Sequence, residues 1–181
     1  MREGNFLIYS DTAVQTREAF DLDLMKRLSK MMVEDDNGNN GGYNLAVKRF
    51  KDSSNFCCPE KRWNKADTYA QYCPGRNQTE DGTGQYCANW MMIKKTPATV
   101  EFIKGWVDGV SDYHLVSDEP STGTSRNPHF KDHRRGQSVF SLAMKCRYNE
   151  AGLTHVQQWR KWSDFFALSL LTTVPDERGK T

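Results

Sequence analysis

The chain has 181 residues, of which 37% are hydrophobic and 27% are charged, and its mean hydropathy is −0.78. This length and composition are typical of one globular domain with a buried core, and they exclude a largely disordered chain. With 25 basic and 23 acidic residues, the formal net charge is only +2. The composition therefore disfavours a nucleic-acid-binding protein, and no apolar run approaches the length of a membrane span.

Residues 1–50 contain two predicted strands and one predicted helix. Residues 6–9 form a short apolar run rich in strand-forming side chains, and residues 44–50 are expected to form a second strand. Between them, residues 18–33 place apolar side chains at helical spacing, which predicts an amphipathic helix. A glycine- and asparagine-rich loop is predicted after this helix, from residue 35.

Residues 63–110 are predicted to place a buried strand between helices. A short helix is expected at residues 63–72, and the nearly continuous apolar run Tyr86–Lys94 is typical of a strand buried on both faces. Thr96 and Pro97 are expected to begin the next helix as its N-cap and first-turn residue. The core-facing stripe of that helix is predicted to consist of Val100, Ile103, Val107 and Val110.

The last predicted elements are a polar loop and two helices. The loop covers residues 117–132, one helix begins at Gln137, and another is expected in the aromatic-rich tail from Leu153. Strands that alternate with helices predict an α/β fold with parallel strands. The expected organisation is one domain at residues 1–150 followed by a helical tail at residues 151–181.

The cysteines leave the cellular compartment open. Cys57, Cys58, Cys73 and Cys87 lack the C-x-x-C spacing of a zinc site, so buried or free thiols are expected. One or two disulfides of a secreted protein are the alternative, because Asn77-Gln78-Thr79 is an N-glycosylation sequon. The secretory pathway and the cytoplasm are both consistent with these features.

Four segments, taken in chain order, carry a resemblance to a known family. They are FLIYSDTAV at residues 6–14, WNKADTY at 63–69, TGQYCANWMMIKKT at 83–96 and FKDHRRGQSVFSL at 130–142. In this order they resemble the acidic strand end, the W-T-K-x-D-x-F and T-G-Q segments and the R-H-D-Q-S-I-F-S-L segment of one group of GT-A-type nucleotide-sugar glycosyltransferases. The resemblance covers roughly residues 4–147. It implies a GT-A-like mixed sheet flanked by helices, without the N-terminal nucleotide-binding half.

The resemblance also implies a reaction centre that contains Asp11 and Gln137. Asp11 would bind Mn²⁺ or Mg²⁺ and, through the metal, the diphosphate of a nucleotide sugar, with His133 as a further metal ligand. From the residues alone, the favoured explanation of Asp11 is the cap of the turn that follows the first strand.

Six further side chains would bind the substrate. By the resemblance, these are Trp63, Lys65, Asp67, Gln85, Arg134 and Arg135. The tryptophan would stack on a sugar, the lysine would contact phosphate, and the aspartate and glutamine would bind sugar hydroxyls. The two arginines, at a helix start, suit a phosphate. The structural alternatives are a buried tryptophan, a solvated lysine–aspartate pair and a glutamine bonded to backbone.

Several other conspicuous side chains are expected to be structural. Trp90 and Trp106 belong to apolar patterns and are predicted to lie in the core. Asp118 and Glu119 could act as an acid–base pair, but their polar loop favours the solvated surface.

The expected function is transfer of a sugar from a nucleotide diphosphate sugar to an acceptor. The alternative is a non-catalytic, glycosyltransferase-like binding protein, because two acidic positions of the family pattern are occupied by Ala13 and Gly136. A basic nucleic-acid module built on residues 133–135 is the weakest hypothesis, since the net charge does not favour it.

Overall fold

A computed structural model of the chain describes residues 5–10, 26, 29–30, 32–33, 44–49, 58–122 and 127–148. In this part of the chain, three strands and five α-helices form a mixed α/β fold. The strands are β1 (Phe6–Ser10), β2 (Leu45–Arg49) and β3 (Tyr86–Lys94). The helices are α1 (Glu60–Trp63), α2 (Ala66–Tyr72), α3 (Pro97–Ser111), α4 (Tyr113–Val116) and α5 (Arg135–Leu142). A 3₁₀ turn spans Gln78–Glu80 and a π-helical turn spans Ala143–Arg147.

The sheet has β3 at its centre, in the order β1-β3-β2. Phe6 of β1 pairs with Lys94, and Leu45 of β2 pairs with Ile93, both in antiparallel register. The prediction of parallel strands is wrong for this sheet. β1 and β2 do point in the same direction, but the oppositely directed β3 lies between them, so every strand pair described is antiparallel.

Most element positions agree with the sequence patterns. The strand Tyr86–Lys94 is confirmed with its predicted bounds, and the first two strands and the helix that ends at Tyr72 are confirmed within a few residues. The short helix α1 lies directly before the predicted helix 63–72 and was not predicted. Within the predicted helix 18–33, the described residues 26, 29–30 and 32–33 are helical. The predicted tail helix lies outside the described residues.

Helix α3 begins as predicted, and two of the four predicted core positions, Ile103 and Val110, pack against the core as half-buried side chains. Thr96 and Thr99 form a reciprocal capping box around Pro97. Phe102 is fully buried, whereas Val107, assigned to the core stripe, is 51% exposed. The fully buried positions 99, 102 and 109 each lie one residue before a predicted one, so the buried face is wider than predicted and includes Phe102. The Phe102 ring packs edge-to-face against Phe140, with centroids 5.5 Å apart.

The core lies between β3 and helix α5, which contributes a run of fully buried apolar side chains. α3 packs against the same helix, and the ring of Trp106 contacts that of Phe140 at 4.9 Å between centroids. Trp106 therefore packs against the core, as predicted. Gly109 permits close packing on α2, because an added Cβ would lie 1.9 Å from the hydroxyl oxygen of Tyr72.

A disulfide ties the end of α2 to the π-helical turn. Cys73 and Cys146 are bonded across a sequence separation of 73 residues, and Cys58 is also disulfide-bonded. The alternative of one or two disulfides is therefore confirmed at Cys73, Cys58 is not a free thiol either, and Cys87 is a buried thiol as expected. None of the described helices has the length and apolar character needed to cross a membrane.

Candidate functional site

Three of the four motif segments meet at the start of helix α5. The backbone N–H of Lys65 donates to Nδ1 of His133 at 3.1 Å, which joins the WNKADTY segment to the FKDHRRGQSVFSL segment. Nε2 of Gln137 donates to Oε1 of Gln85 at 2.9 Å, which joins the last segment to the T-G-Q segment. Side chains that are far apart in sequence are thus brought together. Asp11, from the remaining segment, lies outside the described residues.

Trp63 is held against Arg134. The carbonyl of Trp63 accepts hydrogen bonds from the backbone N–H of Arg134 at 3.2 Å and from the hydroxyl of Ser138 at 2.7 Å. The guanidinium carbon of Arg134 lies 4.3 Å from the centroid of the indole, a cation–π contact. The indole N–H is buried and has no acceptor among the described residues. Because Arg134 covers one face of the indole, a sugar that stacked on that face would have to displace it.

His133 is a buried ring whose two nitrogens both bond to the backbone. Its Nδ1 accepts from the N–H of Lys65, and its Nε2–H donates to the carbonyl of Leu115 at 2.7 Å. Burial lowers the pKa of His133 below its ordinary value, so the ring is neutral near pH 7. In this geometry the ring holds two segments together and offers no lone pair to a metal.

The described residues do not fit the divalent cation implied by the resemblance. They contain no cluster of three or more His, Cys, Asp or Glu side chains placed to hold a metal. Asp11, the other expected ligand, is not among them.

The burial of His133 predicts a pH-dependent stability. Its folded-state pKa lies below the ordinary value of 6.5, so between these two pKa values the unfolded chain binds the proton and the folded chain does not. The His133 contribution is complete above about pH 6.5 and is lost as the pH falls through the folded-state pKa. We expect the urea concentration at the unfolding midpoint to decrease when the pH is lowered from about 7 to about 5. In His133→Gln this dependence of the midpoint on pH should be weaker. The exposed His129 supplies the control, and an equal weakening in His129→Gln would contradict this assignment.

Lys65 and Asp67 both anchor the segment that contains α4. Nζ of Lys65 donates to the carbonyl of His114 at 2.5 Å, and this lysine is only 3% exposed. Oδ2 of Asp67 contacts Nε2 of His114 at 2.7 Å and accepts from the backbone N–H of Thr122 at 2.7 Å. The pair is thus neither solvated nor directed into an open site. In the structure, Lys65 and Asp67 hold the segment from His114 to Thr122 beside the convergent motif segments.

Arg135 lies at the surface with a left-handed backbone φ of 46°. Its Nε and Nη2 donate to the two oxygens of Asp118 at 3.2 and 2.6 Å, a bidentate ion pair between exposed side chains. Asp118 and Glu119 are exposed, as expected. The neighbouring Gly136 accepts a hydrogen bond on its carbonyl from the indole N–H of Trp106 at 3.2 Å.

A buried carboxylate, which the sequence analysis did not select, lies behind the convergent residues. Glu60 is fully buried, and its Oε1 accepts from Nζ of Lys145 at 2.6 Å and from the hydroxyl of Ser141. Its Oε2 accepts from Nδ2 of Asn64 at 2.5 Å and from Nε2 of Gln85 at 3.1 Å. Hydrogen bonds therefore run from Gln137 through Gln85 and Glu60 to Lys145. The available sequence signal was that Asn64, Gln85 and Ser141 all belong to motif segments.

Lys145 also lines a cavity of about 430 Å³. The remaining lining residues are Arg49, Tyr69, Arg76, Asn77, Glu80, Asp81, Thr83, Tyr86 and Met144. Two arginines face two carboxylates, and Lys145 is neutralised by Glu60, so the cavity has balanced charge. The Tyr69 hydroxyl donates to Asp81 at 2.8 Å, and burial raises its pKa so that it remains protonated. Balanced charge, aromatic rings and many hydrogen-bonding groups suit a neutral, hydroxyl-rich ligand.

Comparisons with known proteins do not assign the chain to a family. No family model, curated protein or solved structure matches it.

Proposed function

We propose that the chain is a glycosyltransferase-like domain that binds a nucleotide diphosphate sugar and transfers the sugar to an acceptor. The observation that carries this proposal is the convergence of three of the four motif segments on the start of α5. The Gln85–Gln137 and Lys65–His133 hydrogen bonds join residues separated by 52 and 68 positions in the chain. Such convergence is what a substrate site assembled from these segments requires.

The proposed roles follow from the charge and hydrogen-bonding capacity of the convergent side chains. Arg134, half-buried and cationic at the start of α5, would bind a phosphate of the donor, with the exposed Arg135 beside it. Gln137 is half-buried, and its amide group, positioned by Gln85, would bind a sugar hydroxyl. In this proposal the domain accelerates transfer by holding the reactants in position and by neutralising the leaving diphosphate.

The cavity beside Lys145 is the proposed place for a sugar ring. It shares Tyr69 and Thr83 with two of the motif segments. Its balanced charge and hydroxyl and amide groups match a carbohydrate better than a multiply charged nucleotide. The hydrogen-bonded path from Lys145 through Glu60 and Gln85 ends at Gln137, which would couple the cavity to the start of α5.

Nucleotide binding tests the proposal. UDP and GDP, each with and without Mn²⁺, should raise the thermal unfolding temperature of the natural-length protein, because a ligand that binds the folded state stabilises it. Arg134→Ala should weaken nucleotide binding about tenfold or more, the effect expected when one charged hydrogen bond is lost. Arg134→Lys should recover part of that loss. Both effects are measured by calorimetric titration.

A matched control comes from an exposed lysine of α3. Lys104 pairs with Glu101 on its own helix and is 65% exposed, so Lys104→Ala should leave nucleotide affinity unchanged. Absence of any shift with either nucleotide, with or without Mn²⁺, would contradict donor binding.

Binding without transfer is the second candidate, and the state of the carboxylates favours it. Asp67 is engaged by His114 and Thr122, Glu60 is paired with Lys145, and Gly136 occupies the aspartate position of the family pattern. An added Cβ at Gly136 would meet Val110 Cγ1 at 3.7 Å, an ordinary contact. Gly136→Asp can therefore be accommodated. Increased sugar transfer at unchanged nucleotide affinity would support a degenerate binding protein, whereas transfer by the unmodified protein would support the enzyme.

A further inference from the structure

The Asn77-Gln78-Thr79 sequon forms an ordered turn at the protein surface. Asn77 is exposed and is the N-cap of the 3₁₀ turn Gln78–Glu80. Its Oδ1 accepts from the backbone N–H of Thr79 at 3.1 Å and from the Thr79 hydroxyl at 2.8 Å. The two residues that define the sequon are therefore in direct contact, and the asparagine amide faces solvent.

The amide nitrogen of Asn77 can carry a substituent without loss of this turn. In the folded chain Nδ2 donates one hydrogen bond, to Oε1 of Glu80 at 2.8 Å. N-linked glycosylation joins Nδ2 to C1 of a sugar. The C1–O bond of a lipid-linked oligosaccharide diphosphate breaks, the lipid diphosphate leaves, and one amide proton is released. The resulting secondary amide retains one N–H, which can still donate to Glu80.

Independent evidence for the required compartment comes from the cysteines. Cys73, at the C-cap of α2 and four residues before Asn77, is bonded to Cys146, and Cys58 is disulfide-bonded as well. A disulfide such as Cys73–Cys146, which joins distant segments of the chain, persists where the environment is oxidising, as in the secretory pathway. The described cysteines also form no cluster that could hold a metal, the usual alternative for grouped thiols.

We infer that Asn77 is an N-glycosylation site and that the chain matures in a secretory compartment. This inference goes beyond the proposed function and does not depend on it. Asn77 belongs to the only Asn-X-Ser/Thr sequon in the sequence, so one glycan is expected per chain. Asn77 also lines the cavity, which places the first sugar of that glycan at the cavity edge.

The test is expression of the natural-length protein in a eukaryotic secretory line, with a signal sequence supplied. The microsomal fraction is treated with peptide-N-glycosidase F, and the tryptic peptides are analysed by mass spectrometry. We expect peptide-N-glycosidase F to increase the gel mobility of the protein by one step, equivalent to one glycan, and to convert Asn77 to aspartate. Asn77→Gln and Thr79→Ala should abolish the step, and Thr79→Ser should retain it.

A non-reducing peptide map of the same sample reports whether Cys73 and Cys146 are joined. Because the glycan is added during entry into the compartment, glycosylation of Asn77 can be measured even if the protein is not exported. An unmodified Asn77 in microsomal protein that carries the Cys73–Cys146 disulfide would overturn the inference. Reduced Cys73 and Cys146 in the natural source cell would overturn the compartment assignment.

Discussion

Replacement of both Cys73 and Cys146 by alanine is expected to lower the free energy of unfolding by about 4 kcal/mol. The cross-link closes a loop across 73 sequence positions, and its main effect is to restrict the unfolded chain. The measurement is guanidinium-induced unfolding of the two proteins under non-reducing conditions. The difference should appear chiefly as a lower midpoint.

The buried thiol Cys87 supplies a matched control for the atoms that are lost. Cys87→Ala removes a buried sulfur without opening a disulfide, so its cost should be about 1 kcal/mol. A loss in the double variant no larger than that of Cys87→Ala would show that the cross-link contributes little.

Disruption of the Glu60–Lys145 pair is expected to lower the free energy of unfolding by a similar amount. Glu60 is fully buried, the side chain of Lys145 is 12% exposed, and the two are 2.6 Å apart. Lys145→Met or Glu60→Gln leaves the other member without its counter-charge, which should cost about 3–5 kcal/mol. Nζ of Lys145 also donates to Thr83 and to the carbonyl of Gly84, both at 2.8 Å, so Lys145→Met loses these bonds as well.

A double-mutant cycle separates the charge pair from the other hydrogen bonds. The double variant should lose less stability than the sum of the two single variants, because neither then leaves an unpaired buried charge. Urea unfolding of the four proteins measures the coupling. The exposed pair Lys104–Glu101 is the control and should show no measurable coupling. Additive losses at Glu60 and Lys145 would contradict the interpretation.

Local patterns predicted the elements but not their arrangement. The apolar run Tyr86–Lys94 and the Thr96-Pro97 start are confirmed because their signals are contained within a few adjacent residues. The order β1-β3-β2 could not be read in this way, since strand pairing depends on partners distant in sequence. The same limit explains the disulfide partners, because cysteine spacing does not define pairing.

The candidate site was predictable as a set of residues but not as a set of roles. Gln85 and Gln137 were selected from the resemblance, and they do contact each other. His133 was predicted as a metal ligand, yet its ring is enclosed by the backbone of Lys65 and Leu115. Glu60 was not selected because its partner Lys145 is 85 positions away, and a charged residue without a visible partner is normally assigned to the surface.

The central position of β3 has a consequence for how the chain folds. β1 and β2 have no described neighbour other than β3, and Leu7, Ile8 and Tyr9 of β1 are apolar. At synthesis rates of roughly 5–20 residues per second, β1 must wait for several seconds before Tyr86–Lys94 emerges to pair with it. Non-local pairing of this kind slows folding. The nascent chain therefore carries an unpaired, apolar strand that chaperones can bind until its partner is made.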